Sequence, residues 1–397
     1  MLYAHRYIQY AVTALKGYDG SMPLQHYLKQ FFAADKKYGS KDRKHISQLC
    51  YCYFRIGHAL TALPVEERMQ VAVFLCNEPP AWNNIFPEDW QQYYVPDLDK
   101  RITFIQEKYP AFSPAQIFPW AGECSAGLDT AAFTRSLLMQ PDVFIRIRPG
   151  FEKRVPEVLT QNNISYTQPY KGAIALLPNT KIDSLLKLNR EVVIQDLSSQ
   201  KTANLLLHLK QNQSVQQRAA QQPVNVWDCC AASGGKSILA LDTLGKINLT
   251  VSDVRLSIIQ NLRQRFQEAG IKHFRSFVAD LTKPIPNKSS LLPSIIICDA
   301  PCSGSGTWGR APEQLYFFTK EKISHYANLQ TKISDAVVAQ LVSGGYLLYI
   351  TCSVFKQENE VQVQRIMDIH GLTLIEQQLI TGYSEKADTM FAALLVK

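Results

Sequence analysis

At 397 residues with 46% hydrophobic side chains, the chain is long enough for two or three domains around a full-sized core. It has no apolar run of about eighteen residues, and its opening, Met1-Leu2-Tyr3-Ala4-His5-Arg6, lacks a signal peptide's apolar stretch, so neither a membrane span nor secretion is expected. Nine cysteines, an odd number without a framework, point to reduced thiols in a cytoplasm, and a net charge of +8 favours a polyanionic partner.

In chain order, residues 1–125 read as mostly helical. Tyr7, Ala11 and Leu15 recur at helical spacing, as do Ile46, Leu49, Tyr53 and Ile56. Lys36, Lys37, Lys41, Arg43 and Lys44 crowd a loop and helix start beside Gly39. From 78 to 120, prolines at 79, 80, 87, 96, 110, 114 and 119 break the chain into short pieces expected to wrap between domains. Residues 126–190 read as a small α/β module: a helix to Met139, a strand over 143–148, a helix over 151–161, then strands near 164 and 174. Strand alternation sets Arg146 and Arg148 on the face opposite Ile145 and Ile147. With Lys153 and Arg154 they form a second basic cluster, read either as a solvated face or as phosphate ligands. The glutamine-rich stretch 211–222 buries little and is expected to be an exposed loop or helix extension.

Beyond 190, strands alternate with helices. Val224-Asn225-Val226-Trp227-Asp228 reads as a strand, followed by Cys229-Cys230-Ala231-Ala232-Ser233-Gly234-Gly235-Lys236-Ser237 and an apolar helix through Leu244. Glycines after a strand let backbone approach a ligand, and the helix start offers free amides. A phosphate-cradling loop would need a glycine five residues before Gly235, where Cys230 stands. The competing reading is an S-adenosylmethionine site. A second strand ends at Asp253, placed for ribose hydroxyls, and a third at Asp280, placed for an adenine amine.

Two further apolar runs, Ile295-Ile296-Ile297 and Tyr346-Leu347-Leu348-Tyr349, read as buried strands. They lead into Asp299-Ala300-Pro301-Cys302-Ser303-Gly304 and Thr351-Cys352-Ser353. The alternation predicts a doubly wound, mostly parallel sheet, whose strand ends share one crevice. Two thiols and a carboxylate would then meet over one substrate, an arrangement suited to a ring that needs a soft nucleophile and a second proton-handling group. The plain alternative is a pair of ordinary buried cysteines.

The motifs Asp228-x-Cys230-Ala231-Ala232-x-Gly234-Gly235-Lys236, Asp299 to Gly304 and Thr351-Cys352-Ser353, with Gln195-Asp196-Leu197-Ser198-Ser199-Gln200 upstream, resemble those of the RsmB/NOP/Sun RNA 5-cytosine methyltransferases. The likeness covers residues 190 to 397 well and 126 to 190 loosely. It implies a Rossmann-like class I methyltransferase domain over 191–397, preceded by a small α/β RNA-binding module over 126–190 and a helical domain over 1–125. It also implies S-adenosylmethionine as cofactor, held by Cys230, Ala231, Ala232, Ser233, Gly234, Gly235, Lys236, Asp253, Asp280 and Asp299. In the family the residue at Cys352 attacks carbon 6 of cytosine, and the one at Cys302 helps remove the carbon 5 proton. Asp299 would protonate the ring edge, and Lys236 would help hold the base. Residues Asp42 to Ile46 and Tyr51 to Arg55 resemble the NusB-like domain of RsmB-type enzymes, which favours ribosomal RNA over transfer RNA. A non-catalytic RNA-binding assembly factor is the alternative from another class. Arg146, Arg148 and Arg310 are candidate RNA contacts; a monomer without metal is expected.

DNA 5-cytosine methyltransferases usually carry Gln after the Pro-Cys pair, and amine methyltransferases an Asp/Asn-Pro-Pro-aromatic turn; Ser303 and Asp299-Ala300-Pro301-Cys302 match neither. The chain departs from the family in four places. Ser233 replaces a proline, Ser294 an acid, and Ile258 an arginine; whether Arg255, two residues after Asp253, stands in for it is open. Gly309-Arg310 stands where two basic residues are common. Trp308 could stack on a flipped base or pack locally.

Overall fold

The computed structural model describes residues 4–35, 37–211, 223–285 and 292–397. They divide into two units, one of Met1–Gly122, Asp129–Gln140 and Thr307–Lys320, the other of Glu123–Leu128, Pro141–Gly306 and Glu321–Lys397. The glutamine-rich stretch falls outside the described residues, apart from Gln211 at the end of a helix.

The first unit is helical, with main helices Ala4–Lys16, Leu24–Ala34, Ser40–Arg55, Val65–Cys76 and Leu98–Lys108. The helical spacing read in the sequence has its physical cause here: Ala11, Ile46, Leu49 and Ile56 are all buried. The proline-broken stretch 78–120 is indeed a series of short pieces, but it packs within this unit instead of linking domains. Phe86, Trp90, Tyr94 and Phe104 surround Phe74 with ring centroids 5.3–5.4 Å away, and burying that much aromatic surface outweighs the breaks in local structure. Arg68 is also buried in this unit, over the rings of Tyr53 and Tyr316. Its guanidinium donates to the carbonyls of Tyr53, Gly57 and Ala59, at and beyond the end of helix Ser40–Arg55. The strip Thr307–Lys320 also belongs to this unit. Of the two readings of Trp308, packing holds: it is fully buried beside Phe118, Trp120 and Phe318.

The second unit holds two sheets. The smaller, β1 (Val143–Ile147), β2 (Tyr166–Tyr170), β3 (Ala173–Leu176) and β4 (Val192–Ile194), is antiparallel in the order β2-β3-β1-β4. The larger comprises β5 (Val224–Asp228), β6 (Ile247–Asp253), β7 (Arg275–Val278), β8 (Ile295–Asp299), β9 (Tyr346–Thr351), β10 (Thr373–Thr381) and β11 (Thr389–Val396). Its order is β10-β11-β9-β8-β5-β6-β7. The five strands from β9 to β7 pair in parallel, and at one side β11 pairs antiparallel with both β9 and β10.

Period-2 alternation divides the large sheet's side chains between two cores. Val226, Ile295, Ile297, Leu348 and Ile350 face helices Ala203–Gln211, Gly235–Leu244 and Leu256–Glu268. Trp227, Ile296, Leu347 and Tyr349 face helices Glu321–Val338 and Glu360–His370. Helices on both faces and a strand order that reverses beside β5 make this a doubly wound sheet, with its crevice beyond the carboxyl ends of β5 and β8. No helix among the described residues is long and apolar enough to cross a membrane.

Candidate active site

β8 and β9 are parallel neighbours with Asp299 opposite Ile350, so the residues that leave their ends are carried to the same place. Cys302 Sγ and Cys352 Sγ lie 3.3 Å apart, a separation at which one thiol donates to the other sulfur. The two loops are also tied through backbone: Gly306 N–H donates to the Cys352 carbonyl at 2.9 Å. That approach demands glycine, because a Cβ on Gly306 would lie 1.8 Å from the Thr389 carbonyl oxygen. The close Cys352 sulfur, together with burial, pushes the Cys302 thiol up.

Asp299, the last residue of β8, faces Lys236 in the first turn of helix Gly235–Leu244. Lys236 Nζ donates to Asp299 Oδ2 at 3.1 Å and to Ser199 Oγ at 2.8 Å. Ser199 is held in turn by Gln195 Nε2 at 3.0 Å, so the upstream Gln-Asp-Leu-Ser-Ser-Gln segment aims the lysine. Ser199 had no assigned role in the sequence; its position between Gln195 and Lys236 appears only on folding. Asp228, at the end of β5, is fully buried and accepts from Ser237 Oγ at 2.6 Å. Burial pushes its carboxyl up to about 7.

The loop between β5 and the helix turns through positive φ at Ala232 (44°) and Gly234 (81°). At Gly234 a Cβ would meet the Phe266 ring at 2.5 Å, whereas at Gly235 it would meet little, so the backbone there lies bare. Ser233, where proline is usual, is anchored instead by Arg265, whose Nη1 donates to the hydroxyl at 2.8 Å. Asp253, ending β6, is buried; it accepts from Ala232 N–H at 3.2 Å and from Arg255 N–H at 3.0 Å. The Arg255 side chain also rests on it, at 3.2 Å, from an exposed position. Asp280, two residues past β7, is half-exposed and engaged by Thr282 and Lys283. Cys230 packs with Cys229 and Cys298 against the core beneath the loop, and Ala231 N–H is taken by the Ser252 carbonyl.

Arg146 and Arg148, the candidate phosphate ligands, are engaged within the fold. They share a face of β1, as alternation requires, but that face turns inward onto Asp242. Arg146 Nη1 reaches Asp242 Oδ2 at 2.6 Å and Arg148 Nη2 reaches Oδ1 at 2.8 Å, with all three side chains no more than 14% exposed. Arg148 also donates to the carbonyls of Asn189 and Ala269. Their charge is spent fastening the small sheet to the helices of the large one. Arg310 lies in the strip Thr307–Lys320 of the helical unit, half-buried, where its N–H bonds the Thr307 carbonyl.

Sequence reading also passed over Glu358 and Asn359. Asn359 accepts from the Thr351 hydroxyl and donates to the Ser353 carbonyl at 2.9 Å, bracketing Cys352. The available signal was an acid and an amide, six and seven residues after Cys352, between an apolar strand and a helix.

The model of the 16S rRNA methyltransferase RsmB/F family matches residues 215–393. The ribosomal RNA small subunit methyltransferase B of Yersinia pestis is 27% identical over 275 residues, covering 65% of this chain and 60% of its own length. The protein of the same name from Xylella fastidiosa is 31% identical over 177 residues, covering 45% and 39%. The chain thus spans 60% or less of the length of these curated relatives. Among solved structures, PH0851 matches over 95% of each chain, with a TM-score of 0.67 at 19% identity. NSun6 from Pyrococcus horikoshii with SFG matches 68% of this chain and 95% of its own, with a TM-score of 0.55 at 16% identity. At such identities the structural likeness is one of fold.

Proposed function

Because this chain belongs to the RsmB/NOP/Sun family of methyltransferases, we propose that it transfers a methyl group from S-adenosylmethionine to carbon 5 of a cytosine in RNA, with small-subunit ribosomal RNA as the substrate. The observation that carries this reading is the meeting of two sulfurs, 3.3 Å apart, on the same crevice as the Lys236–Asp299 pair. The choice of RNA is supported by the names of the curated relatives.

The residues present fit the cofactor. The backbone at Gly235 is bare, and Asp253 and Asp280 offer carboxylates at successive strand ends. The Arg255 side chain on Asp253 is exposed, so that contact holds weakly and can yield to a hydroxyl. When bound, the cofactor supplies a methyl group on a sulfonium. The protein's own residues do the rest. Cys352 adds as thiolate to carbon 6 of the ring, which makes carbon 5 nucleophilic enough to take the methyl group. Cys302 assists loss of the carbon 5 proton, after which the bond from Cys352 to carbon 6 breaks and the product leaves. Asp299 hydrogen-bonds and protonates the ring edge. Lys236, steadied by Ser199, holds the base beside it.

The test mixes Cys302→Ala protein with unmodified ribosomal RNA and S-adenosylmethionine, then runs a denaturing gel. A stable protein–RNA adduct that disappears when Cys352 is also changed to Ala is the expected result. An adduct that survives Cys352→Ala but needs Cys302 would exchange the two roles. No adduct, with no methyl transfer by the unmutated protein, would leave a non-catalytic RNA-binding factor.

A further inference from the structure

Beneath the cysteine pair lies a buried carboxylate that the chemistry above does not use. Glu358, in the helical turn Lys356–Glu358, is fully buried. Its Oε2 accepts from Ser303 N–H at 2.8 Å and from Gln330 Nε2 at 3.0 Å; its Oε1 accepts from Ser353 Oγ at 2.7 Å. Ser303 follows Cys302 in the chain, and Ser353 follows Cys352. Gln330 also holds the Pro301 carbonyl at 3.0 Å, on the other side of Cys302. The Ser303 and Ser353 hydroxyls meet at 3.2 Å. One side chain is therefore bonded to both cysteine loops, immediately next to each sulfur-bearing residue.

We propose that Glu358 is the positioning residue for both cysteines, a buried carboxylate that ties the ends of β8 and β9 together and sets the separation of the two sulfurs. This rests on the reading of Cys352 and Cys302 as the working pair. The partners require an acceptor-only group. A backbone N–H and the Gln330 amide nitrogen can only donate, and Ser353 Oγ already receives Phe355 N–H at 3.0 Å, leaving its own hydrogen for Glu358. An amide at 358 would set an NH2 group against at least one of these donors. The charge has a second effect. The groups facing Cys302 are Tyr349 from β9, Cys352 just past its end, Tyr326 from helix Glu321–Val338, and Glu358. A negative charge on Glu358 disfavours a second one on Cys302.

The experiment has two arms on the full-length protein. One measures iodoacetamide alkylation at Cys302 and Cys352 separately, by peptide mass spectrometry across the thiol titration range. The other measures kcat and KM for methyl transfer to unmodified ribosomal RNA. Glu358→Gln is expected to lower kcat roughly 10- to 100-fold with KM for RNA unchanged, the loss of charged hydrogen bonds being of that size. It should also move the Cys302 alkylation profile to lower pH. Glu358→Asp, which keeps the charge, is expected to restore that profile. A kcat within about twofold of the parent, or a lowered kcat with both alkylation profiles unmoved, overturns the proposal. Should Glu358→Gln not fold, Gln330→Leu removes one donor and the Pro301 tether together; lowered kcat at unchanged KM with a displaced Cys302 profile supports the proposal, and a parent-like kcat overturns it. The alkylation arm needs no RNA, so a parent protein without methyl transfer would sink the functional reading while Glu358 is still judged.

Discussion

Asp242→Ala is the sharpest test of how the two-sheet unit is held together. The carboxylate accepts Arg146 Nη1 at 2.6 Å, Arg148 Nη2 at 2.8 Å and Arg148 Nε at 3.2 Å. With the arginine side chains 9% and 14% exposed and Asp242 9% exposed, water can do little to replace it. Removing one partner of a buried pair costs about 3–5 kcal/mol, chiefly because the remaining charge is stranded. Here the guanidiniums keep some partners: Arg146 has Gln195 Oε1 at 2.9 Å, and Arg148 has the Asn189 and Ala269 carbonyls. The lower part of that range, about 3–4 kcal/mol, is therefore expected. For a unit of this size it corresponds to a fall of roughly 6–16 °C in Tm. Differential scanning calorimetry of the full chain, read at the transition of the two-sheet unit, measures it. A parallel titration of Arg148→Ala with RNA at several salt concentrations separates this account from phosphate binding. A phosphate ligand would reduce the salt slope by about one and leave stability alone. An unchanged Tm for Asp242→Ala, together with a reduced slope for Arg148→Ala, would refute the reasoning.

In the helical unit, Arg68→Met strands three buried carbonyls and removes a guanidinium 4.2 Å above the Tyr53 ring. The expected loss is about 3–6 kcal/mol in the helical transition, with Arg68→Lys recovering only part because an ammonium lacks the planar fork. Asp228 predicts a pH dependence. Its folded pKa of about 7 lies above the usual carboxylate value of about 3.9, so the folded state keeps a proton that the unfolded chain has lost. Its contribution to stability is therefore fully present below about pH 4 and is lost as pH rises toward 7. Urea midpoints for the parent and Asp228→Asn across that window should diverge, with the parent falling more steeply; parallel curves would show that Asp228 ionises no differently when folded.

Much of the two-sheet unit was legible because its determinants are local in the chain. Ile295 and Ile297 on one face of β8, with Ile296 on the other, announce a strand covered on both sides. Strand ends followed by Asp253, by Asp299 and Cys302, and by Cys352 announce a shared crevice, since parallel strands deliver their ends to one edge. The helical spacing of Ile46, Leu49 and Ile56 did the same for the first unit.

What the sequence by itself determined, then, was the order of strands and acids and the pair of thiols at neighbouring strand ends, because periodicity and turn chemistry act over a few residues. Only the tertiary structure decided the fate of charges and rings whose partners lie far along the chain. Arg146 and Arg148 look like surface cations until Asp242, more than ninety residues away, is folded against them. Trp308 looks available until Phe118 and Trp120 close over it. Glu358 looks like one acid among many until Ser303, Gln330 and Ser353 converge on it. The physical reason is common to all three. The cost of burying a polar or charged group depends on where its partners are, and for these residues that is settled by packing between distant segments.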